Sequence, residues 1–301
     1  YFYKQWKQLK QYTNSKGIKI IGDLPIYVAT HSADSWQNPH LFCFDKHLRI
    51  KSVAGCPPDY FSKTGQLWGN PLYNWQKLKE TNYSWWVERV RANLSTCDII
   101  RIDHFRGFEA YWAVPYGDDT AINGQWEPGP GIDLFNAIKS QLGELPIIAE
   151  DLGLMTQGVI DLREATGFPG MKILGFAFDS GEENDYLPHT YTKNCVVYTG
   201  THDNDTLIGW FQKEEEDRHF ARDYLNSRSD DEIHWDAIRG AWSSVANMAI
   251  SPVQDFLGLG SEARINTPGV AAGNWQWRLK HGVLTDELAE RIAKLTKVYS
   301  R

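Results

Sequence analysis

Six times along the chain, a short apolar run is followed by a polar segment with helical character. The runs lie at 18–23, 98–103, 146–150, 171–178, 195–201 and 248–257. They are continuous apolar stretches, not alternating ones. Strands covered on both faces have that pattern, and helices crossing between them make the strands parallel. The helical segments lie at 2–16, 76–95, 133–142, 156–166, 206–227, about 231–246 and 285–298. Residues 29–74 interrupt the alternation, being dense in Pro, Gly, Ser, Asn and aromatics and without a period. A loop of that length is functional or disordered, and its aromatics argue against disorder. A Gly- and Pro-rich loop is expected over 114–132.

The fold class expected is α/β, a barrel of the TIM (β/α)8 type. Residues 1–301 would form one barrel domain, with an inserted loop subdomain at 29–74 that carries an active-site lid. Size allows this, since 301 residues at 42% hydrophobic and 23% charged suffice for a large core. The balance of 31 basic against 38 acidic residues gives a net charge of −7. Such a surface argues against non-specific binding to nucleic acid or an anionic membrane. Four scattered cysteines (Cys43, Cys56, Cys97, Cys195) form no C-x-x-C pair, which argues against a metal site or a disulfide framework. No run of 18 apolar residues predicts a membrane span, and the first residues lack the apolar core of a signal peptide. The 13 Trp, 14 Tyr and 13 Phe suit a large core, or a groove where rings stack on sugars.

The ends of the runs raise the functional question. Asp23, Asp103, Glu150, Asp179 and Asp203 each close or follow a strand at its carboxyl end. A lone Asp there is commonly a helix cap or a solvated loop residue. In an α/β barrel, however, that end of every strand faces the active site, so the carboxylates would converge. A pair of carboxylates suits glycosidic chemistry: one attacks the sugar carbon and the other, kept protonated, hands its proton to the leaving oxygen. Arg101 stands two residues before Asp103 and points the same way on a strand, where a cation favours the charged nucleophile. Glu150 follows the apolar "PIIA", a setting that favours the protonated acid. Asp203 would hold sugar hydroxyls, with His202 beside it.

At these residues the sequence resembles a known family. "RIDHFRG", "IIAEDLG" and "TGTHDNDT", with "GDLPIYVATHSADSW", "PPDYFSKTGQLWGNPLY" and "PVQDFLGLGSEARINTPG", are similar to the signatures of the amylomaltases. These are the 4-α-glucanotransferases of glycoside hydrolase family 77, in the α-amylase clan. The resemblance runs from residue 1 to about 280. It implies that Asp103 is the nucleophile, Glu150 the general acid/base and Asp203 the transition-state stabiliser. Arg101 would support the nucleophile, and Asp23 would be structural or near the sugar. The "PPDYFSKTGQLWG" segment would be a mobile loop over the acceptor side, with Asp59, Tyr60, Phe61, Gln66 and Trp68 on the glucan. Asn266 would reach the donor sugar.

The expected activity is transfer of an α-1,4-glucan segment to the 4-hydroxyl of another glucan, with malto-oligosaccharides as partners and no metal or organic cofactor. Two alternatives stay open: an α-amylase-like hydrolase and an inactive glucan-binding fragment. The resemblance implies eight barrel strands where six are found, the run ending at Asp23 being similar to the third. The first two strands would then come from elsewhere on the same protein or from another chain. Sequons stand at Asn82, Asn93 and Asn204, and a glycan on Asn204 would block the site, so a cytoplasmic or plastid location is expected.

Overall fold

A computed structural model describes residues 1–59, 62–178, 184–213, 217–270 and 272–301. Its strands are β1 (Ile21–Leu24), β2 (Ser52–Cys56), β3 (Gln66–Pro71), β4 (Ile99–Ile102), β5 (Ala110–Pro115), β6 (Gln125–Pro128), β7 (Ile147–Ala149), β8 (Gly170–Ile173), β9 (Cys195–Tyr198) and β10 (Met248–Ile250). The chain forms two compact units, Tyr1–Gly170 and Met171–Arg301.

In the first unit β1, β4 and β7 make a parallel sheet in the order β1-β4-β7. All four residues of β4 are buried, as a strand covered on both faces requires. Ile100 and Ile102 share one face and lose all solvent contact, while Arg101 points the other way. The helix Ser84–Thr96 buries Trp86, Val87 and Val90 in the same core. Trp86, Tyr73, Phe105 and Phe108 are its largest fully buried side chains. Helix ends follow local chemistry: Gly167 closes Gln157–Thr166 in the left-handed region, where a side chain would be strained.

The same unit holds a four-stranded antiparallel sheet, ordered β3-β2-β5-β6. Two of its strands fall within 29–74 and two within 110–128, so strand residues occupy 114–115 and 125–128 of the anticipated 114–132 loop. Gly55 allows β2 and β3 to meet: a Cβ there would lie 2.4 Å from the carbonyl oxygen of Gln66.

In the second unit β8, β9 and β10 form a sheet in the order β10-β9-β8. The expected strands are shorter than predicted, two of them by most of their length. The run 171–178 leaves the strand after Ile173 for a 3-10 turn at Leu174–Phe176. The run 248–257 ends at Ile250, because Pro252 removes a donor and starts the helix Val253–Phe256. Of the expected helix 206–227, Leu207–Lys213 and Asp217–Leu225 are helical, and residues 214–216 lie outside the described residues. Helix Ile233–Ser243 buries Trp235, Ile238, Ala241 and Trp242 in this unit's core. No helix among the described residues is long and apolar enough to cross a membrane.

Candidate active site

The register of the parallel sheet assembles the first cluster. β1 and β4 pair with Asp23 opposite Arg101, so a carboxylate and a guanidinium on neighbouring strands lie level. Arg101 Nη1 donates to both carboxylate oxygens of Asp23, at 2.6 and 2.7 Å, and to Asp103 Oδ1 at 3.3 Å. The Arg101 side chain is 8% exposed, against 43% for Asp23 and 40% for Asp103. A buried cation therefore sits behind two accessible carboxylates. Burial alone would lower the Arg101 pKa, but Asp23, Glu150 and Asp103 outweigh it and raise it. The guanidinium stays charged, and Asp23 is its closer partner.

Glu150 follows β7, which pairs with β4. Its Oε2 accepts the His104 backbone N–H at 2.6 Å, and its Oε1 accepts that of Leu152 at 3.0 Å. Those bonds and Arg101 favour the carboxylate. Burial first, and repulsion from Asp103 second, win the contest and push the Glu150 pKa up to about 8. Burial, helped by Arg106, holds the His104 imidazole down to about 3, so the ring is neutral.

His104 links this cluster to β3. Its ring meets that of Trp68 edge-on, with centroids 4.8 Å apart, and Trp68 Nε1 donates to Gln66 Oε1 at 3.1 Å. Trp68 also packs on the first unit's core. Asp59 Oδ1 accepts the Ser62 N–H at 2.7 Å and so shapes the start of the loop. Asp59 also adds to the upward push on Cys56, whose thiol rises to about 12 through burial first and then Glu150. Tyr60, Phe61 and the strand-end residue Asp179 lie outside the described residues.

The second unit carries its own cluster, on the loop after β9. Asp203 Oδ1 accepts from Asn266 Nδ2 at 2.5 Å, and Asp203 Oδ2 lies 3.3 Å from His202 Nε2. The Asn266 N–H donates to the His202 carbonyl at 3.1 Å. The exposed Trp275 ring lies 5.1 Å from that of His202.

Several contributors escaped the sequence reading. His104 acts on Glu150 through its main chain, in a left-handed conformation with φ of 49°. Nothing in its side chain announces that. Asp151, 5% exposed, is paired with Arg163 at 2.6 Å. Strand alternation was the available signal, since Glu150 and Asp151 must face opposite ways. Gly170 fits behind that pair, because a Cβ there would lie 2.3 Å from Asp151 Oδ2. Arg264 donates to the Asp203 carbonyl at 2.6 Å.

Comparison with known proteins gives these clusters a context. The family model described as 4-alpha-glucanotransferase, glycoside hydrolase family 77, matches residues 1–285. A 4-alpha-glucanotransferase from Clostridium butyricum is 55% identical over 100% of this chain and 62% of its own length. One from Synechocystis is 54% identical over 99% of this chain and 60% of its own length. The solved structure of an amylomaltase from Streptococcus agalactiae, in complex with acarbose, aligns with a TM-score of 0.96 at 42% identity. It is matched over 100% of this chain and 61% of that one. The chain thus spans about three-fifths of the length of the relatives it matches. These neighbours bear out an α/β fold of the TIM-barrel kind. By the extent of the family match and the identity of its relatives, the chain belongs to glycoside hydrolase family 77, the 4-alpha-glucanotransferases.

Proposed function

We propose that the chain carries the catalytic machinery of a 4-α-glucanotransferase acting on malto-oligosaccharides and α-1,4-glucans. The observation that carries this reading is the arrangement on β4 and β7. An accessible carboxylate, Asp103, is held by a buried guanidinium and neighbours a carboxyl, Glu150, whose pKa lies near 8. One group suits attack and the other suits proton donation.

In the first half-reaction the Asp103 carboxylate forms a bond to the anomeric carbon as the bond to the leaving glucan's 4-oxygen breaks. Glu150 gives its proton to that oxygen. In the second half, the Glu150 carboxylate takes the proton of an acceptor's 4-hydroxyl, and that oxygen displaces Asp103. Two inversions retain the configuration, and Glu150 recovers its proton. Asp203, with His202 and Asn266, holds hydroxyls of the reacting sugar. Asp23 fixes Arg101, and Asp59, Gln66 and Trp68 face the acceptor. Water is kept out by the lid, which favours transfer over hydrolysis. The six strands β1, β4, β7, β8, β9 and β10 would take the third to eighth places of a (β/α)8 barrel.

Incubation with maltotriose, with products resolved by length, tests the reading. Glucose together with maltopentaose and longer chains, both lost in Asp103→Asn, is the expected result. Glucose and maltose with nothing longer than the substrate would make the chain a hydrolase and overturn it.

A further inference from the structure

Asp255 is among the most buried charged residues of the second unit, at 2% exposed, and the reaction above gives it no part. It stands on the helix Val253–Phe256. One oxygen, Oδ2, accepts the Thr199 hydroxyl at 2.6 Å, and the other, Oδ1, accepts the Leu207 N–H at 2.9 Å. Thr199 directly follows β9, and Leu207 begins the helix Leu207–Lys213. A single carboxylate therefore ties together the two ends of the loop that carries His202 and Asp203.

We infer that Asp255 is a positioning residue that clamps the 199–207 loop and so sets where the Asp203 carboxylate lies. The rest of its segment serves the same end. Gln254 Nε2 donates to the Ala263 carbonyl at 3.2 Å, and Ser261 Oγ donates to Asp205 Oδ2 at 2.7 Å. Arg264 and Asn266 then reach Asp203 itself. Among the described residues only Asp255 holds both loop ends, and it is too buried to touch a sugar. A buried carboxylate is costly where it meets only a hydroxyl and an amide. Two acceptor atoms on one rigid plane, each aimed at a different loop end, are what it supplies.

An amide could take over most of this role. Its oxygen would accept from Leu207, and its NH2 would donate to Thr199 Oγ1. That hydroxyl would turn towards Ser251 Oγ, 3.0 Å away. An alanine could not.

The inference rests on the reading of Asp203 proposed above, and the test separates the two. Amide exchange would be followed by mass spectrometry in the whole chain, with kcat and KM on maltotriose. In Asp255→Ala, exchange over 199–207 should rise about tenfold or more while helix Ile233–Ser243 stays as in the parent. kcat should fall about 100-fold, with KM within about threefold. Asp255→Asn should recover both readings to within about threefold of the parent. Unchanged exchange over 199–207, or a rise spread equally over the second unit, would overturn the inference, as would a loosened loop with kcat intact. If Asp255→Ala does not fold, Thr199→Val removes one arm of the clamp at nearly constant volume and should loosen the same peptide. Asp203→Asn run alongside decides the other question. Full activity there would sink the role given to Asp203, while the exchange data would still show whether the clamp exists.

Discussion

In the proposed reaction Glu150 gives a proton in one half and takes one in the other, and its surroundings divide along that line. Two backbone N–H groups stabilise the carboxylate, while burial and Asp103 stabilise the acid. With the pKa up at about 8, the acid form dominates below that pH. kcat/KM on maltotriose should therefore fall about tenfold per pH unit above roughly 8. Glu150→Gln should abolish that limb and cut turnover of maltotriose by about 10³-fold, while sparing the single-turnover release of fluoride from α-glucosyl fluoride, whose leaving group needs no proton. An unchanged alkaline limb in the variant would assign the titration to another group. Arg101 offers a second check. Its Nη1 serves Asp23 and Asp103 together, so Arg101→Lys, a point charge on a flexible stem, should lower kcat about 10²-fold. A loss under threefold would mean that Asp103 does not depend on it. The contact of Arg101 with Asp103 was legible in the sequence because alternation along a strand fixes which side chains share a face. The help from His104 was not, because it comes from a main-chain N–H whose direction depends on a positive φ at a non-glycine residue.

At the scale of elements, the parallel strands were readable and the antiparallel sheet was not. β4 and β7 are apolar runs that only burial on both faces explains. β2, by contrast, is Ser52–Cys56, and β6 is Gln125–Pro128; neither has a strand-like pattern. Their order comes from partners far along the chain, such as Val53 with Val114 and Trp112 with Trp126. The turn at Thr64 and Gly65 is fixed by similarly distant contacts. The Ala121 N–H donates to the Thr64 carbonyl, and Gly65 packs with φ of 69° where a Cβ would lie 2.4 Å from the Cys56 carbonyl oxygen. Gly65→Ala should destabilise the first unit by about 1–3 kcal/mol, seen as a lower urea midpoint at unchanged slope. Trp68→Ala leaves that backbone alone but removes the ring against His104. It should raise the share of hydrolysis among products, read as reducing ends released per transfer event. A transfer-to-hydrolysis ratio equal to the parent's would remove Trp68 from acceptor binding.

At the scale of the whole molecule, the division into two units was invisible in the sequence. No linker or change of composition marks residue 170, because each unit builds its core from the same kinds of apolar strand and helix. The proposed roles cross that division: Asp103 and Glu150 belong to the first unit, Asp203 to the second. The proposal that all three serve one reaction has a kinetic signature. Groups that act on a single transition state are not additive, since once one is lost the others have little left to stabilise. Asp103→Asn should lower kcat about 10³-fold or more, and Asp203→Asn should do likewise, while the double variant should lose scarcely more than the worse single. If Asp203 acted only through stability or on a separate event, the two losses would multiply instead. The comparison needs each variant's folded fraction, taken from its thermal midpoint, so that unfolding does not masquerade as lost chemistry. Multiplying losses at equal folded fraction would confine the chemistry to the first unit and leave Asp203 a structural residue of the loop that Asp255 holds.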